Sequence, residues 1–172
     1  MFRQILRAAR FDPKLYEEVA NDPAAIIQAA AIVLLSTLAF GLGMRNGLYF
    51  NKPYLTILGW SLLYHVVSWA ALGLLMYVIR LRRTKEPISL VATFNGIGFA
   101  YLPGTLYVFM SLGGEFIPLL VNALALVGMT VGLTMAFRKT TDIAGGLAFL
   151  LAVAAVVMLV DMRQQLLEWL VL

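Results

Sequence analysis

The stretch SLLYHVVSW carries the chain's single histidine, His65, within a long apolar run, with Ser61 four residues before it and Trp69 four residues after it on one helical face. An ionisable group in such a run is a functional candidate by default. An imidazole with a small residue one turn away suits axial ligation of a tetrapyrrole metal, so a chlorophyll-type pigment or a singly ligated haem is one chemistry His65 could serve. The plainer alternative is a histidine hydrogen-bonded to a serine or a carbonyl inside a helix interface. Ser61 and Ser68 could pair with His65 as nucleophile and base, but no acid lies in the apolar runs to orient the ring. The cysteine count is zero, which excludes disulfides, thiolate nucleophiles and iron–sulfur or cysteine–zinc sites within the chain. Zinc-protease spacing, a phosphate-binding glycine loop and paired intramembrane carboxylates are also missing. The expectation is therefore a protein that is not an enzyme and holds no metal. Asn95 and Asn122 read as interhelical hydrogen-bond partners. One broken helix without an intramembrane charge leaves small-solute transport as a third reading.

The elements that must position these residues are membrane helices. Of 172 residues, 62% are hydrophobic and 13% charged, whereas a soluble domain is roughly half apolar and a quarter charged. Five runs of eighteen or more apolar residues stand out, at 24–43, 55–79, 90–112, 116–137 and 143–160, each near the ~20 residues that span a bilayer. The expected fold is all-α: a bundle of five transmembrane helices (24–172) preceded by an amphipathic and capping segment (1–23). The first apolar run begins at Ala24 and is twenty long, which reads as a retained span and not a signal peptide. Arg3, Arg7, Arg10, Lys14, Arg80, Arg82, Arg83, Lys85, Arg138 and Lys139 fall on one side of a five-span topology, and only Arg45, Lys52 and Arg163 on the other. The basic side is the inner one. This predicts an integral protein of the cell (inner) membrane with a cytoplasmic N-terminus and an outer C-terminus. The formal charge of +4 follows from that asymmetry, with no nucleic-acid partner implied.

MFRQILRAAR places Phe2, Ile5, Leu6 and Ala9 on one helical face and three arginines on another, fitting either the headgroup layer or the protein's own surface. Asp12-Pro13 and Asp22-Pro23 each look like an N-cap followed by a first-turn proline, starting the helix KLYEEVA and the first span. Ridges of small residues run along two spans, Gly96, Ala100 and Gly104 in the third and Gly128, Gly132 and Ala136 in the fourth. Such ridges let backbones approach closely in lipid. GFAYLPGTLYVF, at 98–109, sets Pro103-Gly104 inside the third run. Proline removes a backbone donor and collides with the preceding turn, so this span should be kinked near Leu102, with Tyr101, Thr105 and Tyr107 at hand for the freed carbonyls. Trp169 suits the outer interface.

The opening RAARFDPKLYEEVANDPAA and the third-span GFAYLPGTL together resemble bacterial multi-pass proteins with a Yip domain, relatives of the eukaryotic Yip proteins that interact with Rab-type GTPases. The matching positions are Asp12, Pro13, Tyr16, Glu17 and Glu18 in the opening, and Gly98, Tyr101, Pro103 and Gly104 in the span. The resemblance implies a non-enzymatic, five-span adaptor or accessory subunit whose partners are the lipid bilayer and other membrane protein subunits. The LYGP-type motif of eukaryotic members is absent, so GTPase binding is not expected.

Overall fold

The computed structural model describes residues 2–47, 53–83, 89–112 and 116–171, with side chains described for all of these except 2, 45–47 and 166–171. The turn at 113–115, Lys52, Lys85 and the side chains of Arg45 and Trp169 lie outside the described set. The described residues contain no strand. The order is α1 (Phe2–Ala9), α2 (Pro13–Asn21), α3 (Ala25–Gly47), α4 (Tyr54–Arg83), α5 (Leu90–Ala100), a 3₁₀ helix (Leu102–Leu112), α6 (Phe116–Thr141) and α7 (Gly145–Val171). Among the described residues, four segments are long and apolar enough to cross a membrane: Ala25–Met44, Tyr54–Arg83, Phe116–Thr141 and Gly145–Gln165. All four of these helices run past the apolar runs, α3 to Gly47. α4 continues through Arg80, Arg82 and Arg83, and α6 through Arg138 and Lys139, because long basic side chains near a helix end can hold their charge in the interfacial layer. α7 continues beyond 160 to Val171.

The expected third span is not one helix. α5 ends at Ala100, and from Leu102 the chain winds as an eleven-residue 3₁₀ helix. The cause is local: Pro103 offers no N–H and its ring crowds the carbonyl four residues earlier. Gly104 N instead donates to Tyr101 O, three residues back, at 2.8 Å, and the tighter winding follows. Of the three residues expected to serve the freed carbonyls, Thr105 donates instead to Leu102 O at 2.8 Å, and the hydroxyls of Tyr101 and Tyr107 meet Ser68 and Asn122.

α5 and the 3₁₀ helix nonetheless follow one course between α3 and α6. A Cβ at Gly98 would sit 2.5 Å from Ala29 Cβ, one at Gly104 would meet the Ser36 hydroxyl, and one at Gly43 would meet the Tyr107 carbonyl. The register therefore advances in parallel along α3 from residue 29 to residue 43. Along α6 it runs antiparallel: Gly96 faces Ala136 and Thr140, Ala100 faces Gly132, and Pro103 faces Gly128. The two small-residue ridges thus face each other from Gly96 to Ala100, and Gly104 turns to α3.

The N-terminal segment packs against the bundle. Asp12 caps α2 by accepting from Lys14 N at 3.0 Å, and Asp22 accepts from Ala24 N at 2.9 Å ahead of α3. Leu15, Tyr16 and Val19 are buried, each at 1% exposure or less, where α2 packs on α5 and α6. α1 lies on α5 and the 3₁₀ helix, with Ala8 buried.

Candidate functional site

Inside the bundle the polar side chains form a seam. His65 is 2% exposed on α4. Its Nδ1–H donates to Ser61 O at 2.8 Å, which places the lone pair of the neutral ring on Nε2. Ser61 donates to Ile57 O, and Ser68 donates to His65 O and shares a 2.6 Å hydrogen bond with the Tyr101 hydroxyl. The rings of Phe40, Tyr64 and Tyr101 stand around His65 with centroids 5.4, 4.8 and 5.8 Å away. Serine, histidine and tyrosine are held by backbone and by one another, and among the described residues no carboxylate is hydrogen-bonded to them. Among the described residues no group of three metal-ligating side chains comes together.

Nearer the other end of the bundle, Arg163 of α7 donates to Asn122 Oδ1 at 3.0 Å and lies over the Phe40 ring, 5.8 Å from its centroid. The Tyr107 hydroxyl approaches the same Asn122 oxygen at 3.5 Å. Asn122 therefore bonds across helices, as its type suggested, but its principal partner is a cation near the end of the Gly145–Gln165 segment.

At the N-terminal end, Arg7 is clasped by two acids. Its Nε donates to Asp12 at 2.7 Å, and its other nitrogens donate to Glu18 at 2.5 and 3.0 Å. These hydrogen bonds hold the Asp12 and Glu18 carboxyls below their usual range and raise the guanidinium further. Of the two settings open to α1, this one ties it to the protein's own helices. Glu17 pairs with Lys139 of α6 at 3.2 Å. Tyr16 is buried beside Gly132, and burial pushes its phenol up. The expected motif positions thus fall into two connected groups. Asp12 and Glu18 hold α1 to α2, and Tyr16 and Glu17 hold α2 to α6, while Gly98, Tyr101, Pro103 and Gly104 set how α5 and the 3₁₀ helix meet α3, α4 and α6.

Asn95 joins these groups. Its side chain is fully buried, and Nδ2 donates to Val19 O at 2.8 Å and Asp22 O at 2.9 Å, pinning the end of α2. Beside it the ends of α2, α4, α5 and α6 enclose a cleft of about 620 Å³, within the usual range for ligand sites. Sequence reasoning missed this site because its walls come from four distant segments. Compared with known proteins, the chain matches no family model, no curated protein and no solved structure.

Proposed function

We propose that the chain is a Yip-like, non-enzymatic adaptor or accessory subunit that crosses the cell (inner) membrane five times, with its N-terminus in the cytoplasm. Support for the fifth crossing comes from the course of α5 and the 3₁₀ helix along both α3 and α6. Laid end to end, eleven α residues and eleven 3₁₀ residues reach roughly 38 Å, enough for a ~30 Å hydrocarbon core.

The observation that carries the adaptor reading is the placement of α2. With Leu15, Tyr16 and Val19 buried and Lys14, Glu17, Glu18 and Asn21 exposed, a fixed charged face stands at the end of the bundle on which the basic residues collect. The small-residue ridges do not serve as the partner surface, since Gly96, Ala100, Gly128 and Gly132 are packed within the chain. A partner meets the α2 face instead. The test is gentle extraction from the native membrane, followed by sizing and composition of the particle. A second subunit in constant ratio, lost on Lys14→Glu, is expected. A solitary particle, substrate turnover by the isolated protein, or a visible absorption band lost in His65→Leu would each overturn the reading.

A further inference from the structure

The cleft of about 620 Å³ at the N-terminal end has a composition that selects a ligand class. Its floor is Asn95. With Nδ2 committed to two carbonyls, the amide orientation is fixed, and Oδ1 is buried without a hydrogen-bond partner. A buried acceptor of this kind requires a donor. Around it stand three cations, Arg80, Arg138 and Lys139, and two carboxylates, Glu17 and Asp142. Lys139 is engaged with Glu17, and the Arg80 guanidinium donates to Thr140 O. Arg138 and Asp142 make no ion pair among the described residues, and both are exposed at the rim. The first turn of α5 also lines the cleft through Val91 and Ala92, presenting the positive end of a helix.

A simple anion would satisfy the cationic wall and leave Asn95 Oδ1 and Asp142 unmatched. A simple cation would leave Arg138 and the start of α5 unmatched. We propose that the cleft binds a phosphoethanolamine group, its phosphate against Arg138, Arg80 and the first turn of α5, and its ammonium donating to Asn95 Oδ1 beside Asp142. The group reaches the cleft either as a phospholipid headgroup or as a free phosphate ester. The inference rests on the cleft alone and holds whether or not the protein is an adaptor.

The test is calorimetric titration of the detergent-solubilised full chain with short-chain phosphatidylethanolamine, phosphatidylcholine and phosphatidylglycerol, and with free phosphoethanolamine. Phosphatidylcholine has the charge without an N–H donor; phosphatidylglycerol has hydroxyl donors without the cation. Phosphatidylethanolamine, free phosphoethanolamine or both should bind about tenfold more tightly than either counterpart, the loss of one charge-assisted hydrogen bond being worth about that factor. Arg138→Gln should weaken binding several-fold, and Asp142→Asn should erase the preference over phosphatidylglycerol. Both residues are exposed, so these variants keep the fold readable where Asn95→Leu, which cuts the tether to α2, does not. Preference for the lipid over the free ester assigns the source to the membrane, and equal affinity assigns it to the soluble phase. Equal binding of the three lipids with no binding of the free ester, or affinities unmoved in both variants, would overturn the proposal.

Discussion

Gly98→Ala adds one methyl group at the tightest point between α3 and α5. The new Cβ would stand 2.5 Å from Ala29 Cβ, 2.9 Å from Ala29 Cα and 3.1 Å from Ala29 C. Carbon atoms pack at about 3.5–4.0 Å, so α3 must withdraw by roughly 1 Å. Two of the three opposing atoms are backbone, so no rotamer change relieves the clash. Overpacking of this size costs about 1–3 kcal/mol, while replacing a helix-interior glycine by alanine returns about 1 kcal/mol of propensity. Gly59→Ala separates the two effects, because a Cβ there meets nothing within 4 Å. Stability is read by titrating sodium dodecyl sulfate into mixed micelles and following helicity and tryptophan emission. Gly98→Ala should lie about 1–3 kcal/mol below Gly59→Ala. Ala29→Gly in the same chain should recover part of the loss, since it removes the nearest carbon and leaves the backbone contacts. If Gly98→Ala is as stable as Gly59→Ala, the direct backbone contact between α3 and α5 is wrong.

The clasp on Arg7 should respond to acid. Asp12 and Glu18 have depressed pKa values in the folded state, so their contribution is complete above the ordinary carboxylate range and is lost as pH falls through the lowered values. A spin label at Ala9→Cys, specific because the chain has no cysteine, should gain mobility below about pH 4. In Arg7→Gln the label should be mobile at every pH, and a label unchanged by acid or by Arg7→Gln would refute the clasp. Asn122→Leu removes the acceptor of Arg163 Nη1 and should cost about 1.5–3 kcal/mol in the same micelle titration. Arg163→Met added to it should restore most of that, and additive losses would show that the two side chains are not coupled.

The apolar runs were legible because a lipid-facing surface is written in every residue that touches lipid, and the positions of α3, α4, α6 and α7 follow from them. Pro103 was legible as a break, since its missing donor acts within one turn. The winding of the next eleven residues was not, because it depends on what lies alongside, namely the glycine surfaces of α3 and α6. The burial of α2 had a signal that could have been weighed more heavily: Leu15, Tyr16 and Val19 share one face of KLYEEVA, too narrow to prefer lipid over protein. The link from Asn95 to Val19 and Asp22 joins residues more than seventy positions apart, and neither spacing nor type announces it. His65 drew attention as the sole histidine; its Nδ1 is taken by the carbonyl one turn back, a bond to backbone that side-chain spacing does not announce. Asn95 Oδ1, beside the cleft, is one of the buried polar atoms left without a partner among the described residues.

A 3₁₀ helix of eleven residues is long for a form that rarely exceeds three or four, and what sustains it is the company it keeps. Its smaller radius and longer rise let the backbone pass where an α-helix would not fit, with Gly43 against the Tyr107 carbonyl and Gly104 against Ser36. A mid-helix stretch of this winding often marks either a hinge or a sequence under strain. The N-terminal helices bear on the same point: Phe11 and Pro103 both contact the Gly128 position, and Tyr16 meets Gly132 one turn further along α6. Asn95 ties the far end of α2 to α5 above that break. The cleft beside Asn95 is thus walled by α2 and α5 together, the two helices that Asn95 ties to each other.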